Sequence, residues 1–236
     1  MSLELLQATD SVSPYAVIAF EGDGGVEPYV YSVVSGGGSI NASTGIYTAP
    51  GSTAVVVVKV TDDDDVEATA TLNVRSPLEL FCEVIKEEME LEDDQVFLWD
   101  QKFNVPNDSR LYIAVGVLTC KPFSNINYLN SAGQSVQEVN MQATLSVDIM
   151  SRNTSALTRK EEVILALQSN YAQSQQEINS FYIGKISSSF VNLSQEEGAA
   201  IPYRFNISVN IQYFSTKIKT VPYYDTFEGP EVTTEP

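Results

Sequence analysis

The sequence predicts an all-β sandwich followed by an α+β domain. Three observations carry this. Residues 1–75 are rich in Val, Thr, Tyr, Ser and Gly, broken by glycine and aspartate turns, and lack any helical period. The run Ser76-Pro77-Leu78-Glu79 reads as a helix start. Beyond it, helical stripes and alternating strands interleave, the pattern of helices laid over one face of a sheet.

In the first unit the predicted strands are Tyr15–Phe20, Tyr29–Val34, Ala54–Val60 and Val66–Val74. They are separated by Gly24-Gly25, by Gly36-Gly37-Gly38 and by the acidic run Asp62 to Asp65, as short strands in an antiparallel sandwich are. The last strand alternates, with Val66, Ala68, Ala70, Leu72 and Val74 on one face and Glu67, Thr69, Thr71 and Asn73 on the other.

Ser76 and Glu79 have the spacing of a capping box, with Pro77 at the first helical position. Leu78, Phe81, Cys82, Ile85 and Met89 then form one apolar stripe, leaving Glu83, Lys86, Glu87 and Glu90 to water. Val96–Trp99 is a short strand, Pro106 to Ser109 a turn, and Leu111–Thr119 a near-continuous apolar strand, as expected where both sheet faces are covered. Lys121 to Gln137, which includes Asn130-Ser131-Ala132-Gly133, reads as a polar loop, and Met141–Met150 as an alternating strand. A second helix is expected from Thr158, capped by Thr158 and Glu161, with Val163, Ile164, Leu167 and Tyr171 as its stripe. Phe181–Val191 and Ile201–Thr216 complete a mixed or antiparallel sheet with two helices. The expected division is therefore a sandwich over 1–75, an α+β domain over 76–226, and a flexible acidic tail over 227–236.

The 236 residues carry 13 Lys and Arg against 31 Asp and Glu, a formal charge of −18. A chain so acidic repels phosphate backbones and anionic membranes in general. Histidine is absent, which removes Ser-His-Asp and Cys-His catalysis and most zinc sites. Two cysteines make no disulfide framework. The N-terminal run lacks the basic flank and apolar core of a secretory signal, and no apolar stretch in the first half spans a bilayer; the expectation is a soluble protein made in the cytoplasm.

Candidate sites are few. Asp62 to Asp65 with Glu67 has the chemistry of a calcium ligand set, but an acidic hairpin turn is the expected reading. Glu87 to Asp94 is read as a solvated helix end, and Cys82 and Cys120 as small core residues. The glycine pairs lack the strand, helix and lysine context of a nucleotide loop. Asn41, Asn107, Asn153, Asn192 and Asn206 begin Asn-x-Ser/Thr triplets attributed to chance. Trp99 and Tyr223-Tyr224 suit an interface anchor as well as core or hinge packing. No catalytic, cofactor-binding or metal-binding residue is assigned, and no enzyme is expected.

The segment Tyr29 to Pro50, with Ser35-Gly-Gly-Gly-Ser-Ile40 and Thr44-Gly-Ile-Tyr-Thr-Ala-Pro50, resembles the bacterial immunoglobulin-like domains of surface and phage virion proteins. The resemblance spans about residues 12 to 75 and implies a domain that spaces, decorates or adheres. Gln142 to Asn153, Arg159 to Leu167, Ser189 to Gly198, Tyr203 to Tyr213 and Tyr223 to Phe227 resemble the tail terminator and neck proteins of long-tailed bacteriophages. That resemblance implies an α+β subunit of a homo-oligomeric ring, commonly a hexamer, which caps the tail tube and joins it to the head connector. Its expected partners are other neck and tail proteins (connector, tail tube, sheath), with DNA passing through unbound and no membrane. The expected location is the virion. The plainest terminators lack a sandwich, so the alternative expectation is a decoration protein whose immunoglobulin-like domain binds host glycan or protein.

Overall fold

A computed structural model describes residues 2–98, 106–130, 133–194 and 203–219. In the N-terminal part eight strands form: β1 (Glu4–Gln7), β2 (Ser11–Val12), β3 (Val17–Asp23), β4 (Val30–Ser35), β5 (Ser39–Ile40), β6 (Ile46–Thr48), β7 (Ala54–Thr61) and β8 (Glu67–Val74). They make two sheets, ordered β1-β3-β6-β5 and β2-β8-β7-β4. Both contribute to one core, with Ile18, Phe20 and Tyr47 from the first and Val12, Tyr31, Val56, Val58, Val60, Leu72 and Val74 from the second. Phe20 and Tyr47 meet edge to face with ring centroids 5.9 Å apart. The four expected strands are present, with ends shifted by up to three residues. Val66 is an exception to the inner face assigned to it: it lies in the turn before β8 and is exposed.

Glycine decides the turn after β4. Gly36, Gly37 and Gly38 all have φ between 85° and 88°, in the left-handed region. A Cβ at Gly38 would strike the Tyr47 hydroxyl and the Thr48 carbonyl, and that same hydroxyl donates to the Gly37 carbonyl at 2.8 Å.

The C-terminal part contains α1 (Pro77–Glu88), β9 (Val96–Leu98), β10 (Leu111–Leu129), β11 (Ser135–Ser151), α2 (Ser155–Arg159), α3 (Glu162–Leu167), α4 (Asn170–Asn179), β12 (Phe181–Ile186), β13 (Val191–Asn192) and β14 (Tyr203–Lys219). The sheet runs β12-β14-β11-β10-β9, with β13 also on β14; only the β9–β10 pairing is parallel, so the sheet is mixed. Helix α1 starts as its sequence dictates. The Ser76 hydroxyl accepts from the Glu79 N–H at 3.3 Å, and the Glu79 carboxylate accepts from the Ser76 N–H at 2.7 Å. Phe81, Ile85, Ile113, Leu145, Ile149, Ile207 and Ile211 fill the core between helices and sheet. The other face is polar: Thr144 donates to Asn210, Asn206 to Ser146 and Asp148, and Arg204 to Asp148.

Several expectations are corrected. In place of one second helix from Thr158 the chain makes three short ones. The Thr158 hydroxyl donates back to the carbonyls of Thr154 and Ser155 and caps nothing, whereas the Ser169 hydroxyl accepts from the Ala172 N–H and starts α4. Leu80 and Val84 widen the buried stripe of α1, because that helix packs on α3 and α4 as well as on the sheet. Glu83 is not on the wet side; it faces the N-terminal unit. The strand at Leu111 is buried on both faces only as far as Val115, with Tyr112, Ala114 and Met150 forming a small cluster beneath Phe97. The largest correction is Lys121 to Gln137, read as a loop. Its first nine residues continue β10, and Ser135 to Gln137 open β11. Phe181–Val191 is also broken, by the serine run after Ile186. Ile201, Trp99, Tyr223, Tyr224 and the 227–236 tail lie outside the described residues.

Candidate functional site

Two features dominate the described surface: a junction where the two units hydrogen-bond, and a β-arm that projects from the second.

The junction is polar and buried. Asn179, the last residue of α4, accepts from the Ser13 N–H through Oδ1 at 2.6 Å, and its carbonyl accepts from the Ser13 hydroxyl at 3.1 Å. Its Nδ2 donates to Gln175 Oε1 at 3.0 Å, and Gln175 Nε2 donates to the Thr9 hydroxyl at 3.2 Å. Ser180 follows with φ 52°, a left-handed helix stop that turns the chain directly into β12. Nearby, the Ser11 hydroxyl donates to Glu83 at 2.8 Å and Arg75 Nε lies 3.3 Å from the same carboxylate. Ile178 packs onto the sandwich core. A cleft of about 430 Å³ opens beside the junction, bounded by Tyr15, Pro77, Glu138, Ser180, Tyr213 and Thr216.

The arm is made of three strands. Residues 117–129 of β10, the start of β11 and the end of β14 stay paired, with register shifts in β10 between Val117 and Thr119 and between Pro122 and Ser124; Tyr128 lies opposite Val136 and Val136 opposite Ile218. Every residue from Val117 to Leu129 is exposed. At about 3.3 Å per residue the arm reaches roughly 40 Å past the core. Leu118, Phe123, Ile126, Tyr128, Leu129 and Phe214 are 46 to 61% exposed, far more apolar surface than a free arm needs. The register puts Ile126, Tyr128 and Phe214 on one face. Parallel β9 pairs only with Ile113 to Val115, and β12 stops at Tyr213. Among the described residues, both outer edges of the arm are therefore without a strand partner, leaving ladder donors and acceptors open.

The residues singled out from sequence fall elsewhere. Asp62 is a turn hub. Its carboxylate accepts from the N–H groups of Val26, Asp64 and Val66 at 2.8 to 3.1 Å. Burial pushes its carboxyl up, but the three N–H donors outweigh burial and the net shift is downward. A lowered pKa stabilises the fold above the ordinary carboxylate value of 3.8, and that contribution is lost as pH falls through the folded value. Asp62→Ala is thus expected to melt below the wild type at pH 7, with the gap closing in acid. Paired thermal melts from pH 7 to pH 2 check this, and a gap independent of pH would contradict it.

Glu87, Glu88, Glu90, Glu92, Asp93 and Asp94 are all exposed. Lys86 binds Asp93 at 3.0 Å, and Arg110 grips Asp94 at 2.9 and 2.8 Å and Glu92 at 3.1 Å. Cys82 is buried, and burial followed by the nearby Glu79 pushes its thiol up to about 12, which makes it inert as a nucleophile. Cys120 departs from the core role expected of it: it is exposed on the arm, 3.4 Å from the Tyr213 hydroxyl. Gly24, Gly25 and Gly36 to Gly38 are turn residues with positive φ. Asn41, Asn153 and Asn192 accept backbone N–H bonds from the residues that follow them, so these triplets serve turns. Among the described residues, no three His, Cys, Asp or Glu side chains gather in a way that would hold a metal. Nor is any described helix long and apolar enough to cross a membrane.

Sequence reasoning missed the arm. Its signal was present in the alternation Asn125-Ile126-Asn127-Tyr128 and in the turn residues Asn130 and Gly133, the latter with φ 72°. No family model matches this sequence, and no curated protein is similar to it.

Proposed function

We propose that this chain is a structural protein of the head–tail neck of a long-tailed bacteriophage, a tail terminator or collar subunit without catalytic activity. Six copies close into a ring that caps the tail tube and meets the connector. The observation that carries this reading is the arm: a three-stranded projection with two open strand edges among the described residues and a row of exposed apolar side chains. Head-to-tail contacts of unlike surfaces close into rings when the rotation allows.

Two further features support it. The strand orders β1-β3-β6-β5 and β2-β8-β7-β4 can be matched to the A-B-E-D and C-F-G sheets of an immunoglobulin sandwich, with β2 as an added strand beside the last. The inter-sheet disulfide common in antibody domains is missing, since Cys82 and Cys120 both lie in the second unit. The polar sheet face of amides and hydroxyls, with Asp148 and Arg204 cancelling, suits a wall past which DNA slides without sticking.

Light scattering on the full chain is the test, with an expected mass about six times 25.9 kDa. A chain in which residues 121–142 are replaced by a two-residue Asn-Gly hairpin, joining the paired Cys120 and Ala143, is expected to remain folded and monomeric. A full chain that stays monomeric at high concentration, or a trimmed chain that still forms the ring, overturns the reading. So does absence of the protein from intact virions by mass spectrometry.

A further inference from the structure

The arm differs from the rest of the molecule in charge as well as in shape. Residues 117–129, 135–142 and 212–219 contain three lysines, Lys121, Lys217 and Lys219, and one acid, Glu138, a net +2. The whole chain is −18, so the remainder carries −20. All three lysines are exposed. A dense group of acids lies at the other end of the same sheet. Gln95, just after the acidic run Glu87 to Asp94, holds the Leu111 carbonyl at the start of β10, whereas the arm tip is at Leu129. Nineteen residues of strand separate the two ends, about 60 Å. Each subunit is thus basic and apolar at one end and acidic at the other.

We infer that the arm docks on the acidic end of a second copy of this chain, and not on another arm. This rests on the ring reading above and names its contact. Arm against arm sets lysines against lysines in a partly desolvated interface, where like charges repel strongly. Arm against the acidic turn buries Ile126, Tyr128 and Phe214 on the face that also carries Lys121, while Lys217 and Lys219 flank the contact from the opposite face and add to its attraction for carboxylates. Glu88 and Glu90 are the natural acceptors, because Lys86 and Arg110 already engage Glu87, Glu92, Asp93 and Asp94. Such a contact is polar in direction, as a ring or filament requires.

The two geometries answer oppositely to salt, which screens charges over about 10 Å at 0.1 M and 3 Å at 1 M. Sedimentation velocity of the full chain between 0.05 and 1 M sodium chloride is therefore decisive. The expected result is assembly at low salt and at least a roughly ten-fold rise in the assembly midpoint at high salt. The triple variant Lys121→Glu, Lys217→Glu, Lys219→Glu is expected to be monomeric, with far-UV circular dichroism and melting unchanged. The matching Lys→Arg variant assembles normally. Mixing the Glu variant with a Glu88→Lys, Glu90→Lys chain is expected to restore assembly that neither forms alone. Assembly that tightens with salt, a Glu variant that assembles normally, or a mixture that stays monomeric overturns the docking while leaving the ring reading intact. A chain that assembles at no salt concentration instead removes the ring reading. If the wild type retains a short DNA duplex and the Glu variant does not, the lysines serve nucleic acid and the inference fails.

Discussion

Truncating Phe81 to alanine is expected to lower the stability of the second unit by about 3–5 kcal/mol, a fall in melting temperature on the order of 10 °C. Phe81 is fully buried and sits on the face of α1 that meets the sheet core, beside Ile85 and among Ile113, Leu145 and Ile149. Deleting the ring removes its transfer free energy and leaves a void that helix and sheet, both tied by their own backbone bonds, close only in part. Phe214→Ala is the control: that ring is 46% exposed on the arm and is expected to shift folding by no more than about 0.5 kcal/mol. Urea unfolding of both variants checks the contrast. Equal losses would mean that the arm is part of the folding core.

Asn179→Ala is expected to cost about 1–3 kcal/mol, and the cost falls on the junction and not on either core. The substitution leaves the Ser13 N–H without an acceptor and takes away a donor from Gln175. Neither group can turn to water easily, since Ser13, Gln175 and Asn179 are all buried. The readout is hydrogen exchange: amides around β2 are expected to exchange faster, while those of β7 and β11 keep their protection. A loss below about 0.5 kcal/mol, or protection lost evenly through the chain, would show that the junction is held by something other than this side chain.

What the sequence made legible was local. Ser76, Pro77 and Glu79 act within one helical turn, so the start of α1 was readable to the residue. The paired strands Ala54–Thr61 and Glu67–Val74 alternate over an acidic turn, and both strands and turn were readable. The arm was not, because its one short alternation, Asn125 to Tyr128, sits among exposed polar residues; Lys121 to Gln137 then looks like loop. Glu83 was misplaced for a different reason: its neighbours Ser11 and Arg75 belong to the other unit, and no helical wheel can place them. Asn179 carried no signal at all, as a polar residue at a helix end is commonplace. Its role exists only through contacts 166 residues away.

That separation has a consequence for how the protein is made. At 5–20 residues per second, the seat for the sandwich emerges from the ribosome roughly ten to thirty seconds after Ser13. During that interval the first unit stands alone in a crowded cell with its docking surface bare. Serines, a threonine and main-chain groups of that surface are content in water, and the apolar spot that Ile178 later covers is what the unseated sandwich leaves for chaperones to seize.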